Sequence, residues 1–518
     1  VASRALVHHA GVGVRARSAA AGGASSLAGA SFAAALEKDP HAIALTVDMR
    51  NAFNEIHRTA VARGVLNALP ELLPFFHYGY GAATQLHVVG AASGTVIESQ
   101  RGVRQGDPLG PLLFALGFQE VLTALAVAIP EAPSMSYLDD FTAVGRGPAL
   151  RKVLGRLCGD GPGSARSVGL TIVPGKSGVF APCAEAHEEC RAVQQSTGVP
   201  HREDGITVVG THVGTDAFVR ARLKAAAAKA VGEVDLLMRL PVTKQVQLLL
   251  LRQSFAVRLV HHQRTTRWEL LAESTRALEG AVVAAVANIA QVPITLEPSG
   301  ALVQMSSAVR QMLLPIRHGG LGLRMTHPVE AKAALLTGVA VAQRVVADGP
   351  AVFQRLEGPA APAMQRDWDC IRGVLPDVEE WVTKVSDKID GGSPADFSSK
   401  GVRHVLPFLQ HAVSRSMGDK AGKAFLDGMD LCTEAGRLGA ARVRSARGAP
   451  GSAFLSALPG RRRLYTTIGN HSLTTILRHR LGERVSGPVE MPPCDCSGES
   501  VGRGDHAMLC TRNNKDFS

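Results

Sequence analysis

The segment Ser134-Met135-Ser136-Tyr137-Leu138-Asp139-Asp140-Phe141-Thr142-Ala143-Val144 constrains this chain more than any other. Two adjacent carboxylates sit between apolar and small residues, a pattern that reads as a strand, a tight acidic turn and a returning strand. Neighbouring like charges repel, and at the tip of an otherwise uncharged hairpin that repulsion costs stability unless a cation neutralises it. A hard divalent ion held by carboxylates is the usual remedy. A third carboxylate arriving from elsewhere would let the group hold two metals and perform phosphoryl chemistry. Asp is also common in β-turns, so these residues alone leave an acidic turn and a metal site equally open.

A third carboxylate is available upstream. In His41-Ala42-Ile43-Ala44-Leu45-Thr46-Val47-Asp48, three apolar residues alternate with smaller ones, which predicts a central strand with Asp48 at its C-terminal end. Asn51 is placed to cap a helix running into the region 61–69. Between the two acidic sites lies Arg101-Gly102-Val103-Arg104-Gln105-Gly106-Asp107-Pro108-Leu109-Gly110-Pro111. Here Gly106 permits close backbone approach, Asp107 suits an N-cap and Pro108 the first position of a long apolar helix to about Leu125. Arg101, Arg104 and Gln105 crowd the loop that opens this helix, where they could meet phosphates and a base.

These pieces, in this order, resemble the palm of a reverse transcriptase, on the non-long-terminal-repeat retrotransposon and group II intron side of that family. Asp48 with Asn51-Ala52-Phe53-Asn54 looks like the first palm motif, Gln105 to Pro111 like the second and Tyr137 to Asp140 like the third. Gly169 to Ser177 looks like the lysine-bearing fourth motif, and Gly205 to Gly210 like the primer-grip hairpin. The resemblance implies an α+β right-hand polymerase palm, an antiparallel sheet with helices on one face, followed by a helical thumb and a mainly α C-terminal region. It implies that Asp48 and Asp139 coordinate two Mg²⁺ ions with Asp140 in support. Lys176 would then serve the leaving pyrophosphate, although it reads equally as a surface lysine in a turn. Phe53, where the family carries a bulky aromatic, would exclude the 2′-hydroxyl of a ribonucleotide; as an isolated residue it is an ordinary core aromatic. Arg104, Gln105 and Gly106 would line the nucleotide and template. The partners implied are an RNA template, a DNA primer and deoxynucleoside triphosphates. The alternative, from another class, is an impaired polymerase-fold remnant that only binds nucleic acid.

A chain of 518 residues is long enough for several domains with sizeable cores. No uninterrupted apolar run approaches about 20 residues, so no transmembrane helix and no membrane partner is expected. The net charge of +11 fits a nucleic-acid partner. From Val219 to Trp268 the bases are Arg220, Arg222, Lys224, Lys229, Arg239, Lys244, Arg252, Arg258, Arg264 and Arg267, against only Glu233 and Asp235. This stretch reads as helices with one basic face, either a thumb holding phosphates or a solvated surface. A second basic cluster includes Arg437, Arg442, Arg444, Arg447, Arg461, Arg462, Arg463, Arg478, Arg480 and Arg484; aromatics are scarce there, so backbone electrostatics rather than base stacking is expected.

The division expected is 1–40 as a fingers remnant or linker, 41–212 as palm and 213–300 as helical thumb. A mainly helical region at 301–485 and a Cys/His tail at 486–518 complete it. The start at Val1 fits a truncated product lacking most of the fingers, with Arg15 and Arg17 the nearest substitutes for the missing basic residues. A glycine-rich turn at Pro315 to Leu323 interrupts the helical half without an evident role. In the tail, Cys494-x-Cys496 is followed by His506 and Cys510, three thiolates and an imidazole that suit a structural Zn²⁺ knuckle. The other cysteines are scattered and suggest no disulfide framework. His261-His262 reads as part of the basic face. An intracellular, nuclear location is expected of an active element product.

Overall fold

The computed structural model describes residues 41–87, 96–297, 305–346, 361–389, 400–447, 452–456 and 468–483, with Leu36, Asp39, Ser393, Ala395 and Asp396 besides. The tail residues Cys494, Cys496, His506 and Cys510 lie outside the described residues, as do Arg15, Arg17 and Arg461 to Arg463.

The architecture is mixed α+β, with small antiparallel sheets and a helical remainder. Strand β1 (Ile43–Val47) is central in a four-stranded sheet of order β4-β5-β1-β6. Its neighbours are β5 (Asp140–Gly145) and β6 (Gly178–Phe180), both antiparallel, and β4 (Ser134–Tyr137) closes one edge. Because strand side chains alternate between faces, Ile43, Leu45, Val47, Phe141, Ala143 and Val179 fall on one side. There they join a core with the helices Arg58–Ala68, Gly110–Ala128, Gly147–Cys158 and His187–Thr197. The opposite residues Ala42, Ala44, Met135, Val144 and Phe180 meet the hairpin of β7 (Gly205–Val208) and β8 (Thr211–Gly214). A further two-stranded sheet pairs β2 (Thr84–His87) with β3 (Val96–Ser99).

The expected long apolar helix forms and runs Gly110–Ala128, three residues past its expected end. By length and composition it would pass for a membrane span. Its Leu113, Phe114, Phe118, Val121 and Leu125 are buried against the sheet and the helix Arg58–Ala68, so its apolarity serves the core. Its start also differs: Leu109 is the N-cap residue, Pro111 occupies the first turn, and Asp107 instead accepts from the Leu109 amide at 2.9 Å.

Downstream, the helix Asp216–Arg239 packs on Trp268–Ala290 through Ala227, Ala230, Val234 and Leu237. The same core takes in Met312, Leu321, Leu323, Leu455, Leu473, Leu477 and Leu481, so residues far apart in sequence share it. A separate core joins the helices Pro328–Val346, Ala361–Val374, Pro376–Ile389 and Lys400–Asp427 around Trp368, Val382 and Leu406.

The glycine-rich turn has a structural account. Gly319 and Gly322 take φ of +84° and +73°, which favour glycine. A Cβ on Gly320 would meet the Leu314 carbonyl oxygen at 2.0 Å. Buried Gln311 donates to the Gly319 carbonyl at 3.1 Å, Arg480 to that of Gly320 at 3.0 Å, and Arg252 to that of Leu321 at 2.7 Å. Burial, with Arg252 nearby, pushes the Arg480 guanidinium down to about 10. Three residues beyond Leu323, Thr326 donates its amide and hydroxyl to the half-buried Glu279 side chain, and desolvation of that carboxyl pushes its pKa up to about 7. The segment is a clasp whose carbonyls are held by Gln311 of the preceding helix and by Arg252 and Arg480 from distant parts of the chain.

Candidate functional site

The strand, tight turn and returning strand form as expected, but the turn lies one residue earlier than the carboxylate pair, and Asp140 is the first residue of β5. β4 and β5 pair with Tyr137 opposite Asp140, leaving Leu138 and Asp139 as a two-residue loop. Leu138 adopts φ of +58°, an uncommon conformation for a non-glycine residue. The Ser136 hydroxyl donates to the Leu138 carbonyl at 2.6 Å, which ties the turn back to its own strand.

Asp48 follows β1 immediately, beside this turn. The β1–β5 register ends with Val47 opposite Phe141, and one further step sets Asp48 alongside Asp140. The amide of Asp48 donates to Ser177 Oγ at 3.1 Å, and its carbonyl accepts from Val173 at 2.9 Å. Together with the bridge from Met49 to Ile172, these bonds sew the lysine-bearing segment to the end of β1. Lys176 lies in the 3₁₀ turn Pro174–Lys176, exposed and next to Ser177.

The carboxylates sense one another. Asp139 is raised above the ordinary Asp value, first by partial burial and then by the charge of Asp48. Asp140 is pushed up to about 6 by desolvation of its carboxyl, then by Asp139 and Asp48. Its residue surface as a whole is exposed, so solvent still reaches the group. This is a set of hard oxygen donors with mutual repulsion and a deficit of positive charge, the condition a divalent cation relieves.

The loop ahead of the long helix is built differently from the sequence reading. Tyr80 hydrogen-bonds Asp107 and receives the Arg104 amide at 3.1 Å. The Arg104 guanidinium lies over the Tyr80 ring, 4.8 Å from its centroid, and donates to the Gly79 carbonyl and to Thr84 Oγ1. Arg104 is therefore a bracket inside the protein, because Tyr80 offers it an aromatic face and nearby oxygens. Arg101 and Arg50 both lie within 4 Å of the Glu55 carboxylate, at 3.9 and 3.7 Å. Gln105 and Gly106 are exposed, and Gly106 has φ of +88°. The role of Tyr80 was missed; an aromatic 24 residues from Arg104 carries no local signal.

Phe53 is half-buried and stacked on Phe114, with centroids 4.8 Å apart and planes 5° from parallel. It belongs to the short helix Ala52–Glu55, which breaks at Ile56 before Arg58–Ala68 begins. Asn51 makes no side-chain cap there; it adopts φ of +42°, and its carbonyl accepts from Asn54 and Glu55. The single continuous helix expected is thus two, because the His57 amide is taken by the Val168 carbonyl.

The hairpin β7–β8 turns through Val209 and Gly210, both at positive φ, as a tight two-residue turn requires. His212 of this hairpin stacks on His262 at 5.2 Å, and His261 lies edge-on to His262 at 5.3 Å. Desolvation pushes His212 and His262 down to about 4. Burial lowers His261 as well, so desolvation disfavours the charged form of the doublet, which joins the hairpin to the helices rather than extending the basic face. Of the expected basic stretch, Arg220, Arg222, Lys224, Lys229 and Arg239 are exposed on the helix Asp216–Arg239. Arg252 turns inward to the clasp, and Lys244 donates to Thr474. In the second cluster, Arg478 donates to the Gln291 carbonyl and Arg437 to that of Cys432, and Arg480 is buried, so these arginines hold the protein itself. A cavity of about 500 Å³ lies away from the carboxylates, against Arg310, Leu314, Met417 and Phe425.

No family model matches the chain. A telomerase from Candida albicans, solved in complex with the TWJ fragment of telomeric RNA, aligns over 67% of this chain and 50% of that one. The identity is 12% and the TM-score 0.25, too low to bear on the fold. The Retrotransposable element SLACS 132 kDa protein of Trypanosoma brucei gambiense is 37% identical over 112 residues, 21% of this chain. The match spans 9% of that protein's length. Over that part, the chain is similar to a retrotransposable-element protein.

Proposed function

We propose that Asp48, Asp139 and Asp140 form the divalent-metal centre of a template-directed nucleotidyltransferase that synthesises DNA on RNA. The observation that carries this reading is the convergence of three carboxylates at and beside neighbouring strand ends, two of them raised in pKa first by desolvation and then by charge, Asp139 by Asp48 and Asp140 by Asp139 and Asp48. The motif order of the sequence and the similarity to a retrotransposable-element protein support it. The donor set is all hard oxygen and suits Mg²⁺, which when bound would acidify a primer hydroxyl and neutralise the charge on a triphosphate.

The residues of the chain then divide the work. Asp48 and Asp139 hold the metals, and Asp140 supplies supporting negative charge. Phe53, with one face fixed on Phe114, presents its remaining edge to the sugar and disfavours a 2′-hydroxyl. Exposed Gln105 and Gly106 meet template and nucleotide, while Arg104 positions their loop through Tyr80. Lys176, exposed beside the segment bonded to Asp48, offers a cation to the departing pyrophosphate. Arg220, Arg222, Lys224 and Lys229 give the helix Asp216–Arg239 the charge to hold a duplex backbone as a thumb. A Zn²⁺ knuckle at Cys494, Cys496, His506 and Cys510 is part of the same reading.

The test is extension of a labelled DNA primer on an RNA template with purified protein. Mg²⁺-dependent incorporation of deoxynucleotides is expected, with ribonucleotides used poorly. Retained binding of primer–template without any extension would replace this reading with a nucleic-acid-binding remnant. Efficient ribonucleotide incorporation would refute the role of Phe53.

A further inference from the structure

At the other end of the sheet from the acidic turn, we propose that His41, Cys183 and Glu185 form a zinc site that joins the start of β1 to the end of β6. One potential ligand atom from each residue lies within 4.8 Å of the other two. The site is independent of the polymerase reading and uses none of its residues.

The backbone explains why these residues meet. β1 and β6 pair with Ala44 opposite Phe180, Leu45 opposite Val179 and Thr46 opposite Gly178. Continuing that register three residues outward sets His41 opposite Cys183, and the Cys183 thiol indeed lies 3.5 Å from His41 Nδ1. Cys183 caps the 3₁₀ turn Ala184–Ala186, which brings Glu185 back over the pair, within hydrogen-bonding reach of the thiol. Two strand ends and a turn thus supply one donor each. His187 is excluded from the set, because its Nε2 faces the Ala181 carbonyl at 3.3 Å and its ring packs on His201.

The donor chemistry selects the ion. Oxygen-seeking Mg²⁺ and Ca²⁺ gain nothing from a thiolate or an imidazole, whereas Zn²⁺ takes sulfur, nitrogen and carboxylate oxygen together. Around tetrahedral Zn²⁺ with ligands at about 2.0–2.3 Å, donor atoms lie about 3.5 Å apart. Closing from at most 4.8 Å to that spacing takes ligand-atom shifts of about 1 Å, of the size side-chain rotation supplies. His41 and Glu185 are exposed and Cys183 is half-buried, so the ion can reach them and a water can complete the fourth position. On binding, the Cys183 thiol loses its proton to solvent and the thiolate sulfur bonds the metal, so affinity falls as pH falls.

The experiment follows Cys183 directly. The full chain is treated with an alkylating reagent, with and without added Zn²⁺, and modification of the Cys183 peptide is timed by mass spectrometry. Zn²⁺ is expected to slow alkylation at least tenfold, EDTA to reverse this, and Mg²⁺ to have no effect. His41→Ala and Glu185→Gln, both at exposed positions, should each return the rate to its metal-free value. Cys496→Ser, in the separate tail, should leave the protection intact. An unchanged rate with Zn²⁺, or protection that persists in His41→Ala, would overturn the proposal.

Discussion

The acidic turn and the glycine-rich clasp are both places where charge meets backbone, and they resolve it in opposite ways. At the clasp, Arg252 and Arg480 leave water but each reaches carbonyl oxygens: Leu321 and Leu455 for one, Gly320 and Ala446 for the other. Their charge is absorbed by dipoles, and the result is a fixed connection between helices. At the turn, Asp48, Asp139 and Asp140 approach one another with no cation paired to them among the described residues, and desolvation followed by neighbouring negative charge raises the carboxyls of Asp139 and Asp140. Compensated charge here is architecture; uncompensated charge is an invitation to a ligand.

The comparison can be broken by experiment. Its largest expected effect is on activity. Asp139→Asn keeps shape and removes a charge, and should lower primer extension by on the order of 10³-fold while leaving the circular dichroism spectrum unchanged. Loss of folding instead would mean that Asp139 is structural. Arg480→Leu should do the reverse, since it strands the buried Gly320 and Ala446 carbonyls: a stability loss of about 2–4 kcal/mol by denaturant titration, with extension unaffected in the fraction that folds. A neutral outcome would show that the clasp does not need its cation.

Gly322→Ala should cost about 1–2 kcal/mol, chiefly through its positive φ with a tight contact to Ile316 Cγ1 at 3.3 Å besides, and it leaves the charges of the clasp in place. The smallest effect concerns the pH dependence of stability. The Asp140 carboxyl is raised from the ordinary 3.8 to about 6 in the folded protein, so the folded state holds its proton more tightly. That contribution is fully present below pH 4 and disappears as pH rises through about 6. Asp140→Asn should therefore raise the melting temperature at pH 7–8 by a small amount and leave it unchanged near pH 3.5. Mg²⁺ should stabilise the wild-type chain at pH 7–8 and do less for this variant. An equal Mg²⁺ effect in both would remove Asp140 from the metal centre.

Much of the candidate site was legible because its signals are local. Alternation in Ile43–Val47 marks a strand and puts Asp48 at its end, and apolar and small residues around Asp139-Asp140 mark a hairpin; the hairpin at Gly205 to Gly210 was expected only from the resemblance. The break between Ala52–Glu55 and Arg58–Ala68 was not legible, since the Val168 carbonyl that takes the His57 amide lies more than a hundred residues away. Arg104 read as a phosphate ligand for the same reason. Only the fold shows that Tyr80 covers its guanidinium, and side-chain composition cannot say whether an arginine faces solvent or a carbonyl.

By itself, then, the sequence determined the elements and the chemistry they carry: strands by period, turns by φ-permissive or acidic residues, helices by apolar spacing. The tertiary structure decided which charges are balanced. It sent Arg104, Arg252 and Arg480 inward, neutralised His212 and His262 by burial, and set His41 against Cys183 across β1 and β6. Those outcomes depend on hydration and on partners brought from far along the chain. A one-dimensional pattern holds neither, whereas three carboxylates on neighbouring strand ends repel whatever else the chain does.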